Sequence, residues 1–418
     1  MNIARLLAFA ALLCGTFANI DGAAACPFCS APSLTLSEQA AQSDVVLLAR
    51  WKSGTKGSVD DQNDASSTVF EVTKVLKGPL QPGDTIKQAG YQPAEKGDAF
   101  LLTGLGADVV QWDVPTPFSE KAFDYLAKAP SPKKDDGEKV SYQARLPYFI
   151  KHLENEEEAI ANDAYYEFAN APYEDIVAVK AELPREKIRG WVLDPNTPPS
   201  RLGLYGLLMG LSGTDEDAAA MEQLIAKPTD EFRIGLDGVM SGYLLLKKEP
   251  GLELVKTLKL ENEYIVGEDG QPIVDDQGQK VAVPFSETYA AMQAVRFMWD
   301  YGGGVIAPDQ LRAAMRVLLD RPELADLAIA DLARWKDWSI MDKLAELYEQ
   351  EAYQIPGIKR SIIRYFDAAT KDLPKDVDPK EDDKMPAHVK EAREHYAAIK
   401  KKDPETVKSV EQFLILLQ

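Results

Sequence analysis

Cysteine is almost missing from this chain: there are three in 418 residues, Cys14, Cys26 and Cys29, so no disulfide framework can hold the fold and stability has to come from packed cores. Histidine is as scarce, with only His152, His388 and His395. No HExxH, G-x-S-x-G, Walker or dinucleotide spacing can be read anywhere, which removes the enzyme classes those motifs serve. Leu105-Gly106 and Gly302-Gly303-Gly304 lack the strand before and the helix after that a phosphate cradle needs, so they read as turns. Positive charge is short as well: 47 Lys and Arg against 67 Asp and Glu leave a formal net charge of -20. With no large basic cluster to overcome that field, nucleic acid and anionic membrane are poor partners, and basic or cationic ones are favoured. Beyond the N-terminus no segment approaches the roughly 20 uninterrupted apolar residues of a membrane-spanning helix, so no transmembrane anchor is expected.

What is present starts with a targeting signal. Met1 to Arg5 is basic, Leu6 to Phe17 is apolar, and small residues lead to Ala23-Ala24-Ala25, the grammar of a signal peptide over residues 1–25. It predicts a secreted or periplasmic protein whose first residue is Cys26. Acylation of Cys26 is a second outcome, although Ala23 stands where a lipoprotein signal usually has Leu. The Cys26-Pro27-Phe28-Cys29 pair admits three readings. A redox motif needs a preceding strand and a helix N-terminus after it, and nothing precedes Cys26 in the mature chain. Haem attachment needs His after the second cysteine, where this chain has Ser30. The third reading is a structural disulfide between Cys26 and Cys29.

At 45% apolar and 27% charged residues, the chain is ordinary globular material, long enough for more than one domain. Thr35 with Glu38 three residues on forms a capping box that predicts a short helix. Asp44 to Trp51 and Ser67 to Leu76 read as strands, and Gly83 to Ile86 and Lys96 to Thr103 as two more, with Lys77-Gly78-Pro79 turning the chain between them. Gly and Pro punctuation at short intervals with no long helix argues a small, nearly closed β-barrel over residues 26–126. The N-terminal Cys26, the short helix, DVVLLARW, FEVTKVLKG and KGDAFLL together resemble the bacterial relatives of the netrin-like, or tissue inhibitor of metalloproteinases-like, module. That resemblance implies an OB-type barrel, and an inhibitor acting through the α-amino group and carbonyl of Cys26 on a catalytic metal. In those inhibitors the N-terminal cysteines are tied to later ones, whereas no cysteine follows Cys29 here.

Residues 127–142, around Pro130-Ser131-Pro132-Lys133-Lys134-Asp135-Asp136-Gly137, have no apolar periodicity and read as a linker. Residues 143–418 read as helical, with amphipathic pieces from Tyr148 to Leu153, Glu156 to Ala169, Tyr173 to Leu183, Ser200 to Leu211, Asp217 to Ile225 and Glu231 to Leu246. The segments beginning at Ser200, Asp230, Ser286 and Pro356 recur at about 30 to 45 residues once an insertion is set aside and the last interval, 70 residues, is counted as two. They resemble HEAT-type repeats, which implies a right-handed α-solenoid and a multidomain α+β chain. The insertion, about residues 260–283, alternates apolar and polar residues around Asp269-Gly270 and Gln277-Gly278, a β-hairpin or meander. Tyr264, Asp269, Gly270, Asp275 and Asp276 on it are the candidate partner contacts, since binding residues favour loops on rigid scaffolds.

His388, Glu391 and His395 are the best metal pattern. The histidines lie seven residues apart, some 10 Å along one helix, too far for one ion without a bend. Trp191, Trp299, Tyr301, Trp335 and Trp338 sit in apolar stripes and read as core. No cofactor is expected. The reading that follows is a non-enzymatic interaction protein whose partner is a protein of the envelope or the cell exterior, with a metalloprotease inhibitor and a Cys26/Cys29 thiol-disulfide oxidoreductase as the rivals.

Overall fold

The structure is a computed structural model that describes residues 26, 28, 34–57, 66–106, 109–134, 137–228, 233–267, 270–375, 377–378 and 384–416. The expected signal segment, Cys29 and Asp269 lie outside them. The chain divides into two compact units, Met1–Leu183 and Pro184–Gln418.

The first unit opens on α1 (Leu36–Gln42), whose capping box is formed as the residues dictate: Thr35 N donates to Glu38 Oε2 at 3.0 Å and Glu38 N to Thr35 Oγ1 at 3.3 Å. The strands are β1 (Val45–Thr55), β2 (Ser67–Lys77), β3 (Thr85–Ala89), β4 (Ala99–Leu105), β5 (Gln111–Trp112) and β6 (Thr116–Pro117). They make one antiparallel sheet in the order β3-β2-β1-β4-β5, with β6 on β4. The result is a nearly closed, barrel-like sheet. Its interior is Val45, Leu47, Ala49, Phe70, Val72, Ile86, Phe100 and Leu102, supplied by alternate residues of each strand because successive side chains point to opposite faces. In β1 the whole run Val45 to Ala49 is buried, so both faces of that strand are covered. Gly78, at φ +112°, turns the chain out of β2 against Val45, where a side chain would be strained.

Four helices complete this unit: α2 (Glu120–Lys128), α3 (Tyr142–Phe149), α4 (Glu158–Asn170) and α5 (Tyr173–Ala178). The first was not expected from the sequence, and it starts where Ser119 accepts from Ala122 N as an N-cap. The division between units falls after Leu183, beyond the stretch at 127–142 that reads as a linker. Its physical reason is polar: α3 and α4 are hydrogen-bonded to α2 and, across more than a hundred residues, to α1, contacts that periodicity does not encode.

The second unit is helical: α6 (Arg185–Leu193), α7 (Pro199–Ser212), α8 (Asp215–Ala226), α9 (Leu236–Val255), α10 (Phe285–Tyr301), α11 (Pro308–Arg316), α12 (Pro322–Arg334), α13 (Met341–Glu349), α14 (Pro356–Thr370), α15 (Ala387–Lys402) and α16 (Pro404–Leu416). Five of these helices begin on a proline, at 199, 308, 322, 356 and 404, the position where the missing N–H removes no helical bond. Packing runs between near neighbours in chain order: α7 on α9, α9 on α10, α12 on α14, α14 on α15. The closest approach is between α7 and α9, where a Cβ on Gly206 would lie 2.6 Å from the backbone of Val239 and one on Gly210 2.3 Å from Gly242 Cα. Only glycine lets those backbones meet. Within α9, Lys248 adopts φ +54° just ahead of Pro250, and the helix kinks there. A barrel-like β domain followed by a repeat-like helical region is therefore what the chain forms.

Candidate functional site

Between α9 and α10 the chain runs through the expected insertion, and its backbone closes on itself. Ile265 N donates to Val281 O at 2.8 Å, Val281 N to Ile273 O at 2.9 Å and Ile273 N to Ile265 O at 2.8 Å. Three short extended pieces thus form a ring, spaced by the near-repeats IVGEDGQP and IVDDQGQK. Gly270, at φ +73°, and Gly278, at φ +76°, make the two turns. Tyr264 is half-buried, with Lys280 Nζ 5.1 Å above its ring. Asp275 Oδ1 accepts from both Gln277 N and Gln279 N at 2.8 Å, so this carboxylate builds its own turn. Asp276 and Gly270 are exposed on the same element.

Immediately after the ring, α10 begins with a feature the sequence reading passed over. Phe285 and Tyr289, one helical turn apart, stack at 6.2 Å between centroids and are 54% and 37% exposed. Exposed singly, either would mean nothing. A stacked pair on a helix start is a ready apolar anchor, and aromatics are enriched where proteins bind one another. The (i, i+4) spacing was visible, but so was an ordinary core stripe with the same period.

The scaffold beneath is stiffened by charged cross-braces between helices and the segments that join them. Asp217 on α8 accepts from Arg185 Nε and Arg189 Nη1, both at 2.6 Å. Burial alone would raise its pKa, but those two arginines and Thr214 outweigh it and hold the carboxyl down at about 2. Glu287 on α10 takes Arg233 and, at 2.5 Å, Lys259 Nζ. Asp331 on α12 takes Arg296 Nε of α10 at 2.5 Å. Asp372 takes Lys336 Nζ at 2.6 Å and Trp338 Nε1 at 2.7 Å, and Asp403 takes Lys359. In each case a basic residue of one segment ties a carboxylate 28 to 54 residues later, near the spacing expected of the repeats.

A denser cluster lies inside the first unit. Arg145 on α3 and Glu167 on α4 form an ion pair with 1% and 0% side-chain exposure. Ser37 Oγ donates to Glu167 Oε1 at 2.6 Å. Asp163, one turn before Glu167, accepts from Leu36 N at 2.7 Å and Tyr125 OH at 2.8 Å. Burial pushes Glu167 up to about 7 against the pull of Arg145, and Asp163 up to about 6 against its hydrogen bonds. His152 packs 4.9 Å from Tyr125 and 5.0 Å from Tyr148, and burial followed by Lys151 and Lys121 lowers its pKa. A cavity of about 350 Å³ reaches Glu38, Tyr142 and the edge of Arg145. The carboxylates of Glu167 and Asp163 are closed off from it at 0% and 3% exposure. This arrangement clamps α1 to α3 and α4, with Glu167 and Asp163 sealed inside and Glu38 at the cavity.

Cys26 is 4% exposed and its N–H donates to Ala169 O at 3.2 Å. The two histidines of the His388, Glu391, His395 pattern face different partners. His388 stands 3.3 Å from Asp372, while His395 stands 3.3 Å from Asp342. Asp342, Glu391 and His395 each bring a ligand atom to within 4.8 Å of the others, two of the three being exposed. Trp335 is core as expected, 1% exposed and stacked on Trp299 at 4.4 Å. The chain matches no protein-family model and no curated protein.

Proposed function

We propose that this is a secreted or periplasmic, non-enzymatic interaction protein that binds a protein partner through its second unit, on the face carrying the 263–283 ring and the start of α10. The observation that carries this reading is the exposed stack of Phe285 on Tyr289, set directly after the ring on a scaffold braced by Asp217, Glu287, Asp331 and Asp403. An anchor on a pre-ordered frame spends little binding energy on ordering itself. Repeated braces at the repeat interval support a HEAT-like solenoid for this unit, and the sheet order supports an OB-like, netrin-like barrel before it. The inhibitor and oxidoreductase readings both need Cys26 at the surface, and its burial and its bond to Ala169 weigh against them. A Cys26–Cys29 disulfide then serves to fix the N-terminal segment. The test is replacement of Phe285 and Tyr289 together by Ser, followed by partner capture from the native envelope fraction. Capture is lost while the helical circular dichroism stays unchanged; capture equal to that of the unaltered protein contradicts the proposal.

A further inference from the structure

The sheet of the first unit has two ends. β3 and β5 terminate the strand order, and no ladder joins them among the described residues. A cavity of about 510 Å³ lies along this seam, with Thr68, Gln88, Tyr91, Val110, Trp112 and Val114 in its lining. β3 alternates exposed and buried residues, which turns Ile86 and Gln88 inward. Ile86 meets the apolar interior. Gln88, 7% exposed, brings an amide into the same interior, and its Nε2 has no hydrogen-bond acceptor.

Buried polar groups are almost always paired, so an orphan donor beside an open cavity asks for an acceptor that the described residues do not supply. The walls around it are mixed: Lys87, Gln92 and Asp113 are polar, while Val110 and Trp112 pack against the barrel core and Val114 is 82% exposed. The free edge of β3 adds backbone N–H and C=O groups at strand spacing, a template for another strand. A compact small molecule could meet Gln88 but not a row of edge groups. An extended peptide meets both.

We propose that the seam is a second binding site, which takes an extended peptide segment as an added strand along β3. One of its oxygens accepts from Gln88 Nε2 and an apolar side chain lies against Trp112. Main-chain bonds to the edge give affinity and the pocket between the strands gives selectivity, the division of labour of strand addition. The net charge of -20 favours neutral or basic segments. The site belongs to the first unit and does not rest on the partner surface proposed for the second.

The experiment selects binders from a display library of short random peptides on the immobilised full-length protein, then measures synthetic copies against it and against Gln88→Leu. Expected are peptides that bind the unaltered protein about tenfold more tightly than Q88L, the weight of one buried hydrogen bond. Methylating the backbone nitrogens of one parity abolishes their binding, while methylating those of the other parity does not. A melting curve of Q88L shows whether its loss reflects unfolding; if Q88L does not fold, the methylation pattern on the unaltered protein decides alone. Selection of no binder, binders indifferent to Q88L when that variant is folded, or binders that tolerate methylation at both parities would overturn the proposal.

Discussion

Arg145 Nη2 donates to both carboxylate oxygens of Glu167 at 2.6 Å, inside a unit where neither side chain reaches solvent. Removing one partner of a sealed pair leaves the other charge buried and unpaired, which costs about 3–5 kcal/mol. Glu167→Ala and Arg145→Ala are therefore both expected to destabilise the first unit by that amount in urea unfolding followed by the fluorescence of Trp51 and Trp112. Replacing both with Met removes the charges together and recovers most of the loss. A double variant as weak as either single one would show that the pair is a net source of stability rather than a locking device.

The same cluster sets a pH dependence. Glu167 and Asp163, raised to about 7 and about 6 from the ordinary carboxylate values of 4.5 and 3.8, bind protons more tightly folded than unfolded. Their contribution is full below the unfolded values and is lost as pH rises through the folded ones. The first unit should thus melt higher at about pH 5 than at about pH 8, and Glu167→Gln should flatten that difference. In the second unit Asp217 works the opposite way: depressed to about 2, it contributes above its unfolded value and is lost as pH falls toward the folded one. A first unit that melts higher at the alkaline end would contradict the assignment.

Glycines of the helical unit divide by what a methyl group would meet. A Cβ at Gly206 runs into the Val239 backbone at 2.6 Å, whereas one at Gly190 on α6 meets nothing within 4 Å. Gly206→Ala is expected to destabilise by about 3 kcal/mol as α7 and α9 are forced apart. Gly190→Ala is expected to stabilise by a few tenths to about 1 kcal/mol through helix propensity. Chemical denaturation of the two variants side by side checks both signs.

Much of this architecture was legible because it is local. The Thr35/Glu38 capping box, the alternation of Phe70 and Val72 in β2, and the helix starts at Pro199 and Pro356 are each set by residues within a turn or a strand of one another. The contacts that decide the units are not local. Asp163 reaches Leu36 and Arg145 reaches Ser37 across more than a hundred residues, and in sequence those are ordinary charges on amphipathic helices. Of the insertion residues, Asp275 is exposed and also builds its own turn, because its spacing to Gln277 and Gln279 is that of an Asx turn. Phe285 and Tyr289 escaped notice for the reverse reason: their spacing is that of a core stripe, and only the fold leaves that stripe uncovered.

The most direct measurement is site-specific photo-crosslinking in the native cell, with a benzophenone amino acid placed at Tyr289, at Tyr264, or at exposed Glu405 on α16 as a control. One discrete crosslinked protein is expected from positions 289 and 264 and none from 405. The same product from all three positions, or none from 289 and 264 while the protein is present and folded, would contradict a partner surface at the ring and the start of α10.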